Sequence, residues 1–517
     1  MNYVGTARPI HDARGKATGY TKYAGDLSLP NMAYLCMLHS KIPHGYVKAV
    51  HAEKALALPG VYGVYHCLNT TDRKYNRYRS NFDQSYLPNE ECAFNDYVRF
   101  VGDKIGVVAA CDQETAERAA RLVEVEYEEL PFSIGFDDTL AGKNCLDGET
   151  PVRDEYELDV GEKQGSAEGL IEVCSTMELP RLHHATMETH ACIADYDPYG
   201  DMLTVYCPNQ AVHGIRTVLA DFLEMPESHV RVVKATMGGS FGAKQEWFLE
   251  PVTALVAKKL CRPVKLVYSR GEAMTDTIVR GAMRMSARGY YTPDGEMKEI
   301  YCDVTLDAGA YIGNAGDYVR ALAGKPTRCY RIPYMHYHGQ IISSNSPVSG
   351  AFRSWSAAEE ALMMERQLDA AAEKLGMDRL AIRLKNVARS GEEDKKLHLS
   401  LEDIRIGDAI TLGSEKFGWD KLKAEDAAFN ASQQRYRRGV GIGIGGHGNT
   451  YFPRFNDYGE GSISLNADGS MQANFTLHDH GCGTVTAMRM IAAEVLKVPE
   501  DKIYMTEGDT AVTPIDY

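Results

Sequence analysis

Apolar and polar positions change period several times along the chain, and each change predicts an element. Asp112 stands where it can cap a helix running through Arg121, whose inward side is rich in alanine. Val123-Glu-Val-Glu-Tyr127 then alternates as a half-buried strand does, and Pro131 ends the unit. From about residue 180 to 390 the pattern stays mixed, with strands such as Val230-Arg-Val-Val233. A long helix is predicted to begin near Ser356, with Glu359 three residues on completing a capping box and Met364, Leu368, Ala371 and Leu375 repeating along one side. Gly391-Glu-Glu-Asp-Lys-Lys396 and the charged stretch 421–438 read as a surface linker before another globular part.

One pattern occurs twice. Ala220-Asp-Phe-Leu223-Glu-Met-Pro226-Glu227-Ser-His-Val230 returns as Ala493-Glu-Val-Leu496-Lys-Val-Pro499-Glu500-Asp-Lys-Ile503, at the same offsets and without a gap. Both copies read as a helix, a Pro-Glu turn and a strand. A loop of small or polar residues precedes each helix, Cys207-Pro-Asn-Gln210 in one copy and His480-Gly-Cys-Gly483 in the other. Copies that faced each other would aim two helix N-termini, with their unpaired amides, at a shared anion.

Two further loops carry the chemistry: Met237-Gly-Gly-Ser-Phe-Gly-Ala-Lys244 and Gly350-Ala-Phe-Arg353-Ser-Trp-Ser356. Glycine lets main-chain amides touch a bulky group, and Lys244 and Arg353 add positive charge, so a large anionic cofactor suits both. The first is not a Walker phosphate loop, because Ala243 and Gln245 stand where glycine and Ser or Thr are needed. Gly441-Ile-Gly443-Ile-Gly-Gly446 has Rossmann spacing but runs into His447-Gly-Asn-Thr-Tyr-Phe-Pro453, which cannot open a helix; Val440 to Gly446 is expected to be a glycine-rich strand.

A chain of 517 residues that is 44% apolar can form two to four ordinary globular domains. The net charge of −15 argues against nucleic acid as a partner. No apolar core of a signal peptide opens the chain and no stretch is apolar enough to span a membrane, so a cytoplasmic protein is expected. The 12 cysteines include no CxxC or close cluster, so any iron–sulfur centre is expected on another chain. Extended backbone would turn His478, His480 and Cys482 to one side, a weak hint of a soft-metal site; His183 and His184 read as partly buried histidines.

Several motifs in order identify a family. Asp12-Ala-Arg-Gly-Lys-Ala-Thr-Gly-Tyr-Thr-Lys-Tyr-Ala-Gly-Asp26, Asn95-Asp-Tyr-Val-Arg-Phe-Val-Gly-Asp103, Met187-Glu-Thr-His190, Asn209-Gln210, the Phe241 loop, the Arg353 loop and Gly481-Cys-Gly483 follow one another as they do in the molybdenum hydroxylases. The chain resembles the molybdopterin-binding large subunit of the xanthine dehydrogenase and aldehyde oxidase family over nearly its whole length, most nearly the bacterial xanthine dehydrogenase form. That resemblance implies an α+β fold: an N-terminal α/β hammerhead domain over residues 1–135, a first molybdopterin-binding domain over 136–390, a linker over 391–435, and part of a second, duplicated molybdopterin-binding domain over 436–517.

The resemblance also implies a molybdenum ion held by a pterin dithiolene, with a cytosine dinucleotide form as one option, and no direct protein ligand. Gln210 then matches the glutamine beside the metal's oxo group, and Phe241 the aromatic wall of the metal pocket. Gly239 and Gly242 match the backbone that approaches the cofactor, and Arg353 the arginine near the metal. Cys482 takes a position where many relatives have glutamine. Trp355 stands where a ring often stacks on a flat heterocycle, Gln245 where animal relatives have a substrate-contacting glutamate, and Arg320 is a candidate for steadying negative charge on a purine carbonyl.

The family's general-base glutamate is expected beyond Tyr517, so no catalytic residue is assigned in this chain and full activity is expected to need a further segment or second polypeptide. The implied reaction is hydroxylation of a purine such as hypoxanthine or xanthine with water as oxygen source. Electrons would pass to a 2Fe-2S subunit and an FAD-binding subunit, in what is expected to be a dimer of heterotrimers. An aldehyde, nicotinate or other N-heterocycle oxidoreductase and a non-catalytic remnant that only binds partners or cofactor are the alternatives.

Overall fold

The computed structural model describes residues 3–515 apart from 79–87, 147, 149, 164, 166–167, 433–434, 449–458 and 478. Its fold is mixed α and β, arranged around two large sheets. The first has seven strands in the order Val230–Lys234, Met202–Cys207, Ala191–Asp197, Val264–Val267, Ala33–His39, Lys104–Ala110 and Val61–His66. Ala33–His39 pairs in parallel with Val264–Val267, so the N-terminal 135 residues share one continuous sheet with the domain after them. The second sheet has five strands, ordered Ile171–Leu179, Ala282–Tyr291, Met297–Gly309, Tyr334–Ser343 and Val152–Gly161.

Helices cover both sheets, and the first sheet is buried on both faces where Ala33–His39 and Lys104–Ala110 lie, with Leu38, Ile105 and Val108 in a separate cluster that includes Ala119 of the helix Gln113–Ala120. Val212–Leu223 and Glu250–Leu260 join the first core, and Ala357–Leu375 covers the second with Met363, Met364, Leu368, Ala371 and Ala372. Burying each large side chain of that stripe contributes about 2 kcal/mol. Trp355 packs against both cores, so the loop that carries it lies in the seam between them.

The local expectations hold in two places. Asp112 does cap its helix, accepting from the Thr115 amide at 2.7 Å, and the alternating strand runs Glu124–Glu129. The duplicated pattern is a duplicated structure. Val212–Leu223 and Thr484–Leu496 both end on a left-handed residue, Glu224 and Lys497, then turn at Pro226 and Pro499 into a short 3-10 helix. The strand after that turn pairs in parallel with the one before the helix in both copies. The second copy sits in a three-stranded sheet of Gly461–Leu465, Met471–Phe475 and Ile503–Glu507.

The two copies join through the edge of the seven-stranded sheet. Lys234 donates its amide to the Gly508 carbonyl at 2.7 Å, Arg231 forks onto Asp509 at 3.0 and 2.6 Å, and Thr510 exchanges bonds with Val232. The Lys234 ammonium reaches Glu507 at 2.8 Å and the Asp479 carbonyl at 3.0 Å.

Three expectations fail. Ser356 does not cap the long helix: it is left-handed at φ 63°, its side chain makes no capping bond, and Glu359 turns to Arg280 and Tyr318 instead. Residues 440–446 form no strand, because no neighbouring strand pairs with them; Ile442 and Ile444 pack against the second core as irregular chain. The stretch expected as a linker is largely helical, over Ile406–Phe417 and Trp419–Ser432, with Ile410 and Trp419 buried against the domain.

Candidate cofactor-binding site

The first glycine loop follows the edge strand Val230–Lys234 and is pinned by Glu188. One carboxylate oxygen of Glu188 accepts from the Gly238 amide at 2.7 Å and from the Lys244 ammonium at 2.5 Å. A Cβ on Gly238 would fall 2.4 Å from the Glu188 Cβ. Lys244 is 1% exposed, and burial pushes its pKa down against the pull of Glu188. Lys244 is therefore an internal brace rather than a charge offered to a ligand, which corrects the sequence expectation.

Between those anchors the loop turns outward. The Ser240 hydroxyl donates to the Gln210 side-chain oxygen at 2.6 Å, while the Gln210 amide donates to the Lys244 carbonyl at 2.8 Å. Both bonds leave the side-chain NH2 of Gln210 without a partner among the described residues. Phe241 follows at φ 55° and remains 44% exposed, although Ser240 and Ala243 beside it are buried. An aromatic ring held out of the core by a left-handed backbone is a strained arrangement of the kind found where ligands bind.

Gly239, at φ 94°, lies against the Phe241 ring, and Gly242, at φ 103°, lies against the second loop. A Cβ on Gly242 would sit 2.5 Å from the Ala351 carbonyl oxygen. The Arg353 amide donates to the Phe241 carbonyl at 2.7 Å, so the two loops form one unit.

Residues far apart in sequence hold the second loop. The Phe352 ring stacks on His184 at 4.2 Å and carries the Arg280 guanidinium on it, also at 4.2 Å. Burial lowers the His184 pKa to about 4, so the ring is neutral at pH 7 and its Nε2–H donates to the Ala351 carbonyl at 2.8 Å. Arg280 donates to the Arg353 carbonyl at 2.8 Å and pairs with Glu359. The Arg353 guanidinium itself is exposed and has no partner among the described residues.

Buried behind this loop is Glu246. Its carboxyl accepts weakly from the Ala351 amide at 3.4 Å, and Oε2 has no hydrogen-bond partner among the described residues. Burial raises its pKa to about 8 against the pull of Arg77 and the Ala351 amide. A Cβ on Gly350 would meet Glu246 Oε1 at 2.4 Å, which explains glycine there.

The remaining sequence candidates separate. Gln245 is half-buried beside Lys244, and Trp355 places its ring 5.4 Å from that of Tyr318. Arg320 is not brought to the loops. It lies two positions beyond Tyr318 on the helix Ala315–Leu322, hence on another face, where it pairs with Asp154 at 2.7 Å and rests on Tyr156.

Cys482 is exposed, its sulfur 2.9 Å from the Thr484 hydroxyl, in the loop that enters Thr484–Leu496. The amides there are already occupied: Asp479 accepts from Gly481 at 2.9 Å, Val485 at 3.2 Å and Gly483 at 3.3 Å. Although burial pushes the Asp479 pKa up, those amides hold it below the ordinary carboxylate value. Three amides at the entry to the second helix thus meet a carboxylate of the chain itself. His478 lies outside the described residues, and among those described no group of three or more His, Cys, Asp or Glu side chains could hold a metal.

What the pattern of residues concealed was the bracing. Glu188 was visible inside Met187-Glu-Thr-His190, but nothing in that spacing marks it as the anchor of Gly238 and Lys244. Arg280, His184 and Glu246 carry no local signal, because they act on a loop 73, 167 and 105 residues away respectively.

Residues 18–131 match the aldehyde oxidase and xanthine dehydrogenase a/b hammerhead domain, and 152–387 and 412–517 each match the molybdopterin cofactor-binding domain. The chain is 32% identical to a probable xanthine dehydrogenase subunit of Bacillus subtilis, over 99% of this chain and 67% of that protein. It is 31% identical to the nicotinate dehydrogenase large molybdopterin subunit of Eubacterium barkeri, over 74% of this chain and 88% of that one. The structure of quinoline 2-oxidoreductase from Pseudomonas putida 86 superimposes with a TM-score of 0.88 at 23% identity, over 98% of this chain and 67% of that one, a likeness of fold.

Proposed function

This chain belongs to the molybdenum hydroxylase large-subunit family, that of xanthine dehydrogenase and aldehyde oxidase, and on that premise we propose that it is the molybdenum-cofactor subunit of a hydroxylase acting on a purine such as hypoxanthine or xanthine. The observation that carries the cofactor reading is the junction of the two glycine loops through Arg353 and Phe241. That junction presents a free guanidinium, an outward aromatic ring and an unpartnered side-chain amide from one braced surface.

The residues fit a large anionic organic group. Gly239 and Gly242 let backbone approach it, and Arg353 would hold a negatively charged part of it with its planar fork. Gln210 would donate its free N–H groups to an oxygen at the reacting centre, and Phe241 would wall that centre from water. When bound, a molybdopterin group, in a cytosine dinucleotide form, supplies the redox chemistry and the water-derived oxygen. Cys482 is assigned to the cofactor's surroundings from the second copy of the duplicated unit. No residue of this chain is assigned as the general base.

For the substrate, Trp355 would stack on a flat heterocycle and the Gln245 amide would hydrogen-bond its edge. Arg320 is withdrawn from that set while it is paired with Asp154. Electrons would leave through a 2Fe-2S subunit and an FAD-binding subunit, in a dimer of heterotrimers in the cytoplasm. No helix among the described residues is long and apolar enough to cross a membrane.

The test is turnover by the complex copurified with its partner chains. Uric acid formed from xanthine, carrying label from 18O-water, supports the proposal. Turnover of nicotinate or an aldehyde without xanthine supports the second reading, which the relatedness to a nicotinate dehydrogenase subunit favours. Bound partners with no metal, no pterin and no turnover would leave a binding protein.

A further inference from the structure

Ser354, Trp355 and Ser356 follow one another at φ 83°, 41° and 63°. None is glycine, and three successive left-handed residues persist only where surrounding groups over-determine them. The first of them is not the source of that hold, since the Ser354 hydroxyl is buried without a partner. The other two meet a single side chain: the Lys325 ammonium donates to the Trp355 carbonyl and, at 2.8 Å, to the Ser356 hydroxyl.

Lys325 is 7% exposed, and burial pushes its pKa down to about 8 against the pull of Glu360 and Glu359 on the long helix, which are 2% and 1% exposed. A short excursion of chain from the second sheet supplies this lysine and, seven residues earlier, Tyr318. The Tyr318 ring lies 5.4 Å from the Trp355 ring, and its hydroxyl donates to Glu359 at 3.0 Å. The indole is thus held at both ends from one segment, its carbonyl by Lys325 and its ring by Tyr318.

We propose that Lys325 is the positioning residue that fixes the Trp355 indole, through the Trp355 carbonyl and the Ser356 hydroxyl, and that residues 315–325 thereby set which flat ring fits against it. The specificity part rests on reading Trp355 as the substrate wall; the positioning part does not. Sulfur or hydrocarbon at position 325 would leave two acceptors in the seam without a donor and free the loop to relax toward ordinary backbone angles.

The chain has 3 tryptophans, so the Trp355→Phe difference isolates the Trp355 emission. Taken in the full chain, with circular dichroism as the check on folding, that component is expected to be poorly quenched by acrylamide. In a Lys325→Met background its quenching should rise by roughly twofold as the loop opens locally, and Lys325→Arg should restore the original value. If Lys325→Met does not fold, Ser356→Ala, which removes one of the two acceptors and leaves the lysine, should give a smaller rise in the same direction. A folded Lys325→Met protein, or a folded Ser356→Ala protein where that is the one obtained, whose Trp355 component is unchanged overturns the positioning claim. In the complete complex, Lys325→Met should raise KM for the heterocycle more than it lowers kcat. If instead Trp355→Ala leaves KM unchanged while the fluorescence behaves as expected, the substrate-wall reading fails and the positioning claim stands.

Discussion

The backbone amide of Arg353 donates to the carbonyl of Phe241 at 2.7 Å, and Gly242, next after Phe241, lies flat against Ala351. Two loops more than a hundred residues apart are therefore one rigid surface, and a change in either is felt by both.

Gly242→Ala tests that junction. Its Cβ would press on the backbone of Ala351 and Phe352, which cannot rotate away, and the φ of 103° adds strain. A loss of about 2–4 kcal/mol is expected in thermal unfolding, with loss of pterin and metal from the purified protein. Gly239→Ala faces only the edge of the Phe241 ring, at 3.2 Å, and should be the milder change. Equal effects of the two would contradict the asymmetry.

Arg353→Ala should leave stability nearly unchanged and still weaken cofactor binding. The guanidinium is exposed and bonds to no described residue, so the unfolding free energy should move by no more than about 0.5 kcal/mol. Cofactor content should fall, and Arg353→Lys should recover only part of it, because a point charge lacks the fork. Full cofactor content in Arg353→Ala would remove this residue from the site.

Glu246 makes stability depend on pH in a predictable direction. Its folded pKa of about 8 lies above the ordinary 4.5, so the folded protein keeps a proton that the unfolded chain releases. Its contribution is complete below pH 4.5 and is lost as pH rises from 4.5 to about 8. The charged groups acting on it are Arg77 and Glu91. Glu246→Gln cannot ionise, so it should match the parent near pH 4 and exceed it by about 4 kcal/mol near pH 8. Glu360, also raised to about 8 by burial, keeps some of the slope in the variant. Unfolding curves that remain parallel across this range would exclude Glu246 as the source.

Asp509→Ala addresses how the second copy of the unit is held. It removes the acceptor of the Arg231 fork and the partner of the Ala511 amide, on a carboxylate that is 6% exposed as a residue. A cost of about 1–3 kcal/mol is expected, concentrated in residues 461–513. Hydrogen exchange should report faster opening there, with the seven-stranded sheet unaffected from Met202 to His39 in strand order. Uniform acceleration throughout would mean that the junction is not a separable unit.

Much of the architecture was legible from residue patterns, and the exceptions share a cause. Asp112, the strand from Glu124 and the twin units Ala220–Val230 and Ala493–Ile503 depend on bonds made within a few residues, so local spacing sufficed. Ser356 had the right neighbours for a capping box, yet Lys325 claims its hydroxyl and Arg280 and Tyr318 claim Glu359. Residues 440–446 had the composition of a strand in a crowded sheet and found no strand to pair with.

The site shows the same division. The loops of Gly239, Phe241 and Gly242 and of Arg353 stand out because glycine spacing and side-chain type are written in the order of residues, whereas Gln210 is marked only by the family resemblance. The order could not say that Lys244 would be spent on Glu188, that Arg320 would face Asp154, or that Asp479 would accept from three amides at the entry to the second helix. Charge is a property of a residue, whereas availability depends on what packs within about 3 Å of it. Residue order therefore determined which groups this protein has to offer, and only the tertiary structure decided which of them were already satisfied and which were left for a ligand.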